Sequence, residues 1–151
     1  MNAIHIQSAT AEDASDLSAL IQAAVRISNS GDYDPATVEL ICANFTRDKV
    51  IEKMALRDVF VAVCNRDIVG TVSLGNGKLH SMFVEPNRQR KGIGRRLVDH
   101  LEKHAVNSGH AELKLSSSIT AKPFYEKLGY ELVKFEERSD GSTFLMKKSL
   151  Q

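Results

Sequence analysis

The sequence predicts an α/β (α+β) fold with a central twisted mixed sheet of about seven strands and about four flanking helices. Three β-branched, apolar runs follow one another between residues 59 and 84 with only short turns between them. Such spacing is typical of an antiparallel meander. A strand–helix–strand pattern then covers residues 79–117, which predicts a parallel pair joined by a right-handed crossover. The sheet is therefore expected to change from antiparallel to parallel pairing near its middle.

Length and composition indicate a single soluble domain over residues 1–151. The chain is 42% hydrophobic and 26% charged, with a net charge of +1. These values are ordinary for a globular protein, and the small net charge argues against a dedicated nucleic-acid binder. We find no apolar run of membrane-spanning length and no leader, so no membrane is expected and the cytoplasm is the predicted location. Cys42 and Cys64 lack a metal-type spacing, and no metal is predicted.

The first third of the chain predicts one strand and then helices. Residues 3–8 alternate as a short strand, and an apolar stripe from Ala14 to Val25 predicts a helix. Asn29–Pro35 is a loop in which Asp34 caps a second helix with Pro35 in its first turn. Thr46 is a candidate cap for another short helix.

Eight further segments follow from the pattern of apolar residues and turn signals. The predicted strands are Val59–Cys64, Ile68–Leu74, Leu79–Val84, Ala111–Ser117, Tyr130–Phe135 and Thr143–Lys148. One predicted helix opens at the segment Gln89–Gly94, which we call the glycine loop, and runs to about Val106; the other covers Ala121–Leu128.

The segment Gln89-Arg90-Lys91-Gly92-Ile93-Gly94 places two glycines where a strand gives way to a helix. A helix start has unpaired N–H groups and the positive end of the dipole, and glycine lets a ligand approach the backbone. Five cations add charge there: Arg88, Arg90, Lys91, Arg95 and Arg96. The segment is predicted to bind a phosphate or pyrophosphate. It lacks the Gly-Lys-Ser/Thr of a Walker loop and the third glycine of a dinucleotide fingerprint.

Gln89-x-x-Gly92-x-Gly94 resembles the pyrophosphate loop of the GNAT superfamily of N-acetyltransferases. A second stretch, Ala121-Lys122-Pro123-Phe124-Tyr125-Glu126-Lys127-Leu128-Gly129-Tyr130, resembles that family's A-x-x-F-Y-x-x-x-G-F/Y signature. The two motifs occur in the family's order and at its usual distance. The resemblance implies a sheet splayed between strands 4 and 5, with acetyl-CoA lying in the splay.

The resemblance also implies the residues that would contact acetyl-CoA. The pantetheine arm would pair with the main chain of Met82, Phe83 and Val84. Gln89 belongs to the pyrophosphate motif, and the amides that would hold the pyrophosphate are those of Arg90, Lys91, Gly92, Ile93, Gly94 and Arg95. Where many members have an Asn after the fifth strand, this chain has Ser116–Thr120. Ser118 or Thr120 is the expected substitute through its hydroxyl.

Acetyl transfer to an amine needs a neutral amine, a polarised carbonyl and protonation of the leaving thiolate. By resemblance, Tyr125 is the acid that protonates the thiolate. His80 is the candidate base, since it matches a histidine that some members use and titrates near neutrality. Lys78 stands where other members carry a catalytic Glu, and Glu85 is an outside candidate. Neither residue replaces His80 in the prediction.

The predicted function is an acyltransferase that moves the acetyl group of acetyl-CoA directly to a primary amine of a small molecule, peptide or protein. The alternatives are a longer acyl donor, a non-catalytic acyl-CoA sensor, and a nucleic-acid binder that uses the basic loop. The acceptor is expected to be selected by residues 28–45 and 134–143, where Asp32 and Asp34 carry negative charge. The chain is expected to be a monomer or a homodimer.

Overall fold

The computed structural model describes residues 3–28, 31, 33–89, 91–137 and 143–151, apart from the side chain of Ser28. Within these residues the chain forms seven strands and five α-helices. Their bounds are β1 Ile4–Ser8, α1 Ala14–Ser28, α2 Pro35–Ala43, α3 Arg47–Met54, β2 Asp58–Cys64, β3 Asp67–Gly75, β4 Lys78–Val84, α4 Ile93–Asn107, β5 Glu112–Ser117, α5 Lys122–Lys127, β6 Glu131–Glu136 and β7 Thr143–Ser149.

The seven strands form one mixed sheet in the order β1-β2-β3-β4-β5-β7-β6. Every neighbouring pair is antiparallel except β4 and β5, which run parallel as predicted. The β4–β5 ladder contains two pairs, Lys78–Lys114 and Leu79–Leu115. Beyond these pairs the two strands separate, so the expected splay lies between the fourth and fifth strands.

The first four strands have helices against both faces. On one face α4 buries Leu97, Val98 and Leu101 in the main core, all with no exposed surface. Gly70 in β3 makes this close contact possible, because a Cβ there would lie 2.9 Å from Leu97 Cδ1. On the opposite face, α1, α2 and α3 bury two smaller apolar clusters, one of which reaches Phe83 of β4.

α2 and α3 each begin with a side-chain cap on the first turn of the helix. Asp34 accepts a 2.7 Å hydrogen bond from Thr37 N, with Pro35 in the first turn, as predicted. Thr46 caps α3 through a 3.4 Å contact from Lys49 N. Because this short helix forms, the helices number five among the described residues rather than about four. Residues 29, 30 and 32 of the predicted loop lie outside the described residues.

The last three strands are packed on one face. Leu113, Leu115 and Met146 are buried in the main core, whereas α1, α2 and α3 lie over the first four strands. β6 ends the strand order, and Leu132, Val133 and Phe135 are each about half exposed. A bulge interrupts its pairing with β7 between Leu132 and Lys134. Among the described residues we find no helix long and apolar enough to cross a membrane.

Candidate functional site

The splay begins with an irregularity in β4. Thr71 pairs with Phe83 but Ser73 pairs with His80, so β4 has one extra residue between these pairs. Ser81 has the left-handed φ of 52° that accompanies this bulge. A bulge bends a strand and increases its twist. The irregularity therefore lies just past the last β4–β5 pair, where the strands diverge.

The three β4 residues expected to pair with pantetheine follow the bulge. Met82 packs against the core on the α4 face, whereas Phe83 packs among α1 and α2 on the other. No pairing to β5 is present for Met82, Phe83 or Val84 within the described part of the chain. One edge of this segment is therefore available to an extended ligand.

The glycine loop forms a helix start with free amides. Gly92 is the N-terminal cap of α4 and has a left-handed φ of 81°. Arg96 N donates to Gly92 O at 3.1 Å and closes the first turn. The N–H groups of Ile93, Gly94 and Arg95 therefore have no partner within the helix. This is the arrangement expected for an anion site.

Gly94 brings three elements together at the open end of the splay. A Cβ at Gly94 would lie 3.2 Å from Phe124 Cζ and 3.6 Å from Met82 Cε. Phe124 belongs to α5, Met82 to β4 and Gly94 to α4. The absence of a side chain at Gly94 thus allows α5 to approach the helix start.

The structure corrects the predicted cluster of five cations. Arg88 pairs with Glu85 at 2.9 Å, and Arg96 donates to Ile4 O at 2.9 Å, so both side chains are directed elsewhere. Lys91 and Arg95 are exposed, and neither has an ion pair with another described residue. Arg90 lies outside the described residues.

Gln89, the first residue of the loop motif, lies in the turn before α4. Its Nε2 approaches Val84 O at 3.5 Å, the limit of a hydrogen bond. This contact turns the side chain toward the end of β4. The prediction that Gln89 contacts the cofactor stays untested.

Tyr125 lies on α5 and is 5% exposed. Its ring packs edge-on between Phe124, at 5.1 Å, and Tyr130, at 5.8 Å. Burial raises the pKa of Tyr125 above its ordinary value, so the hydroxyl is protonated at neutral pH. No hydrogen bond to this hydroxyl is formed by the residues that the structure describes. The group is therefore a proton donor without a fixed acceptor.

The turn after β5 uses Ser118 for a local purpose. Ser118 Oγ accepts from Ala121 N at 3.0 Å, and Ser118 O accepts from Ser117 Oγ at 2.8 Å. Tyr33 approaches from the opposite layer, and its hydroxyl accepts from Ile119 N at 2.9 Å. This contact crosses the splay, and nothing in the sequence near Tyr33 signals a partner 86 residues away. The expected contacts of Ser118 and Thr120 with the cofactor stay predictions.

His80 is the first β4 residue beyond the paired ladder, and its Nε2 lies 3.3 Å from Gly75 O. Burial, with a contribution from the charge of Arg57, lowers the pKa of His80 to about 4. The imidazole is therefore neutral at pH 7, ready to accept a proton but weakly basic. Arg57 was not predicted as a site residue, and its only sequence signal is its position just before β2.

The two histidines of α4, four residues apart, pack on the same aromatic ring. His100 and His104 pack edge-on against Phe60, with ring centroids 4.7 and 4.9 Å away, and His104 Nε2 lies 2.9 Å from Asp58 Oδ2. Among the described residues there is no group of three His, Cys, Asp or Glu side chains arranged to hold a metal.

Comparison with known proteins identifies the family. The model of the acetyltransferase (GNAT) domain matches residues 29–150. The uncharacterized N-acetyltransferase YafP of Escherichia coli K12 is 33% identical over 134 residues, which cover 89% of this chain and 85% of YafP.

Solved structures agree in fold. A GCN5-related N-acetyltransferase of Rhodopseudomonas palustris, also described as a class-II aminotransferase, superimposes with a TM-score of 0.93 at 24% identity, covering 99% of this chain and 97% of that one. The PaiA N-acetyltransferase of Thermoplasma acidophilum, solved with coenzyme A, gives 0.81 at 21% identity, with 97% and 99% covered. The family-model match and the identity to YafP establish that the chain belongs to the GNAT family of acetyltransferases.

Proposed function

We propose that the protein is an N-acetyltransferase that moves the acetyl group of acetyl-CoA to a primary amine of a small molecule or peptide. One observation carries the proposal. The start of α4, the end of β4 and α5 meet at Gly94, Met82 and Phe124, and the Phe124 ring contacts Tyr125. An anion site, an unpaired strand edge and a buried proton donor are thus adjacent.

The residues present fit acetyl-CoA. Its pyrophosphate would accept hydrogen bonds from the N–H groups of Ile93, Gly94 and Arg95, with the charges of Lys91 and Arg95 beside them. Its pantetheine arm would lie along Met82–Val84. PaiA and an aminoglycoside 6'-N-acetyltransferase of the same fold were both solved with coenzyme A, which supports this choice of ligand.

The reaction forms a C–N bond and breaks a C–S bond. The lone pair of the neutral amine attacks the carbonyl carbon, and the sulfur leaves as a thiolate. One proton leaves the amine nitrogen and one reaches the sulfur, so the products are an amide and a thiol. Tyr125 is the proposed donor to sulfur, and His80 is the proposed acceptor from nitrogen.

The raised pKa of Tyr125 and the lowered pKa of His80 set their roles. A tyrosine more weakly acidic than usual favours a hydrogen bond to the developing thiolate over early proton transfer. A weakly basic histidine cannot deprotonate an alkylammonium efficiently, so the amine must arrive neutral. His80 would act as the N–C bond forms and makes the nitrogen more acidic. Alignment of the two substrates then supplies much of the rate.

The test is release of free thiol from acetyl-CoA with a panel of primary amines, with the acetylated product identified by mass. Acetyl-CoA is compared with a longer acyl-CoA in the same assay. The proposal predicts amine-dependent thiol release with acetyl-CoA. Tight binding of acetyl-CoA without turnover of any amine would instead support the sensor.

A further inference from the structure

Arg57 lies beside His80 on the face of the sheet that α1, α2 and α3 cover. A Cβ on Gly75 would be 2.9 Å from Arg57 Cγ and 3.6 Å from His80 Cδ2. Gly75 therefore provides the space in which the arginine stem and the imidazole lie close together. The carbonyl of the same glycine is 3.3 Å from His80 Nε2. The position of Arg57 is thus fixed relative to the proposed proton acceptor.

Arg57 has no acidic partner among the described residues. The two nearest acids in sequence are engaged elsewhere, since Glu52 lies 3.6 Å from Lys49 Nζ and Asp58 lies 2.9 Å from His104 Nε2. The arginine is half-buried, and this burial lowers its pKa. A partly buried cation without a counter-charge costs free energy. Such a group is explained if an anion joins it during function.

A small pocket connects Arg57 with the bulge of β4, and we call it the Arg57 pocket. Apolar side chains of α1, α3 and β2 form its walls, and Thr71, Ser73 and Ser81 add hydroxyls. Lys53 and Arg57 are its charged members, with no Asp or Glu among the described residues that line it. Its volume is about 20 Å³, enough for one small group.

Of the two cations, Arg57 is the one free to bind. Lys53 Nζ donates to Asn44 O at 2.6 Å and lies 4.9 Å from the centre of the Phe45 ring. The planar guanidinium of an arginine matches a carboxylate with two parallel hydrogen bonds. Because the pocket is small, a carboxylate suits it better than the larger phosphate ester.

We propose that the acceptor is an amine that carries a carboxylate, and that Arg57 binds this carboxylate in the Arg57 pocket. The inference rests on the proposed N-acetyltransferase function and adds the class of acceptor. Because the pocket reaches Ser81, the residue after His80 in β4, a carboxylate bound there would lie close to an amine that meets His80. Short ω-amino acids and compact amino acids therefore fit this class of acceptor.

The experiment uses substrate pairs that differ only in charge: γ-aminobutyrate with γ-aminobutyramide, and β-alanine with β-alaninamide. A phosphonate of the same chain length tests the size limit. We expect the parent protein to have a higher kcat/KM for each carboxylate than for its amide. Arg57→Gln is expected to reduce this preference by about 10- to 150-fold, as for a hydrogen bond to a charged group.

Arg47→Gln is the matched control, because it removes an exposed arginine from the start of α3 and is expected to keep the preference. A second measurement is thermal unfolding. Arg57→Gln should not lower Tm, since it removes an unpaired cation, and γ-aminobutyrate should raise the Tm of the parent protein more than that of the variant.

The outcomes separate the two claims. If no amine releases thiol, the proposed function fails. If amines react but the amides are used as well as the carboxylates, or Arg57→Gln lowers both equally, only the inference about the acceptor fails. A phosphonate preferred over the carboxylate would also overturn it.

Discussion

The two halves of the sheet differ in how they are packed. β1 to β4 have helices on both faces, so Val61, Ala62 and Val69 have no exposed surface. β5 to β7 pack on one face and end in β6, whose apolar side chains are about half exposed. Two residue pairs join the halves through the backbone ladder. We call the first half, which is packed on both faces, the rigid block. The second half is packed on one face only.

The proposed site takes residues from both halves. His80, Arg57 and the glycine loop belong to the rigid block, whereas Tyr125 and Ser118 belong to the other. Tyr33 OH to Ile119 N, at 2.9 Å, is one of the contacts across the gap. A ligand in the splay would contact both halves.

The largest expected effect contrasts a core leucine with an exposed one. Leu97→Ala should reduce the free energy of unfolding by about 2–5 kcal/mol, because it empties fully buried space in the rigid block. Leu132→Ala in β6, where the side chain is 50% exposed, should cost less than about 1 kcal/mol. Urea denaturation of both variants tests this, and equal losses would contradict the comparison.

The next effect concerns Gly94 at the start of α4, where the rigid block would meet the pyrophosphate of coenzyme A. Gly94→Asp should weaken binding of coenzyme A by about 100-fold or more, because it adds bulk toward Phe124 and a negative charge against the pyrophosphate. Gly94→Asn has the same bulk without the charge and should lose less affinity. Calorimetry with coenzyme A measures both variants. Equal affinities of Asp and Asn would mean that no anion binds there.

Tyr125→Phe tests the contribution of the second half to chemistry. It keeps the ring between Phe124 and Tyr130 and removes only the hydroxyl. We expect kcat to fall about 100-fold, near the lower end for a positioned acid, because the leaving thiolate is itself fairly stable. Affinity for coenzyme A and Tm should change little. A kcat within about twofold of the parent would exclude Tyr125 as the acid.

A further expected effect is a pH dependence of stability from His80. Its pKa is about 4 in the folded protein and about 6.5 when unfolded, so the unfolded chain binds the proton first as pH falls. The contribution of His80 is therefore complete above pH 6.5 and is lost between pH 6.5 and 4. His80→Gln should flatten the dependence of Tm on pH in this window. An unchanged slope would mean that His80 titrates normally.

The fold was predictable because its signals are local. Strand runs, turn residues and caps lie within a few positions of each other, and the resemblance at Gly92, Gly94 and Tyr125 added the splay. The bulge in β4 also has a signal in the sequence. Leu79 and Val84 face the same core although they are five residues apart, an odd separation. Strict alternation would place them on opposite faces, so this separation indicates an extra residue.

Other parts of the candidate site depend on partners far away in sequence. Arg88 and Arg96 looked like ligands of a phosphate, but Glu85 and the carbonyl of Ile4 bind them in the fold. Nothing in the sequence marks Arg57, and its lack of an acidic partner among the described residues appears only when the neighbouring acids are placed. The charge of a residue is readable from sequence, whereas its counter-charge requires the tertiary structure.

The bulge in β6 affects how molecules of this protein meet. The last strand of a sheet offers unpaired N–H and C=O groups to a strand from another molecule and can begin aggregation. Val133 is the extra residue in β6, and it interrupts the regular spacing that a second straight strand would need. Lys134 adds a charge that opposes such contact. Growth of a continuous sheet at this edge is therefore disfavoured, although Leu132, Val133 and Phe135 are exposed there.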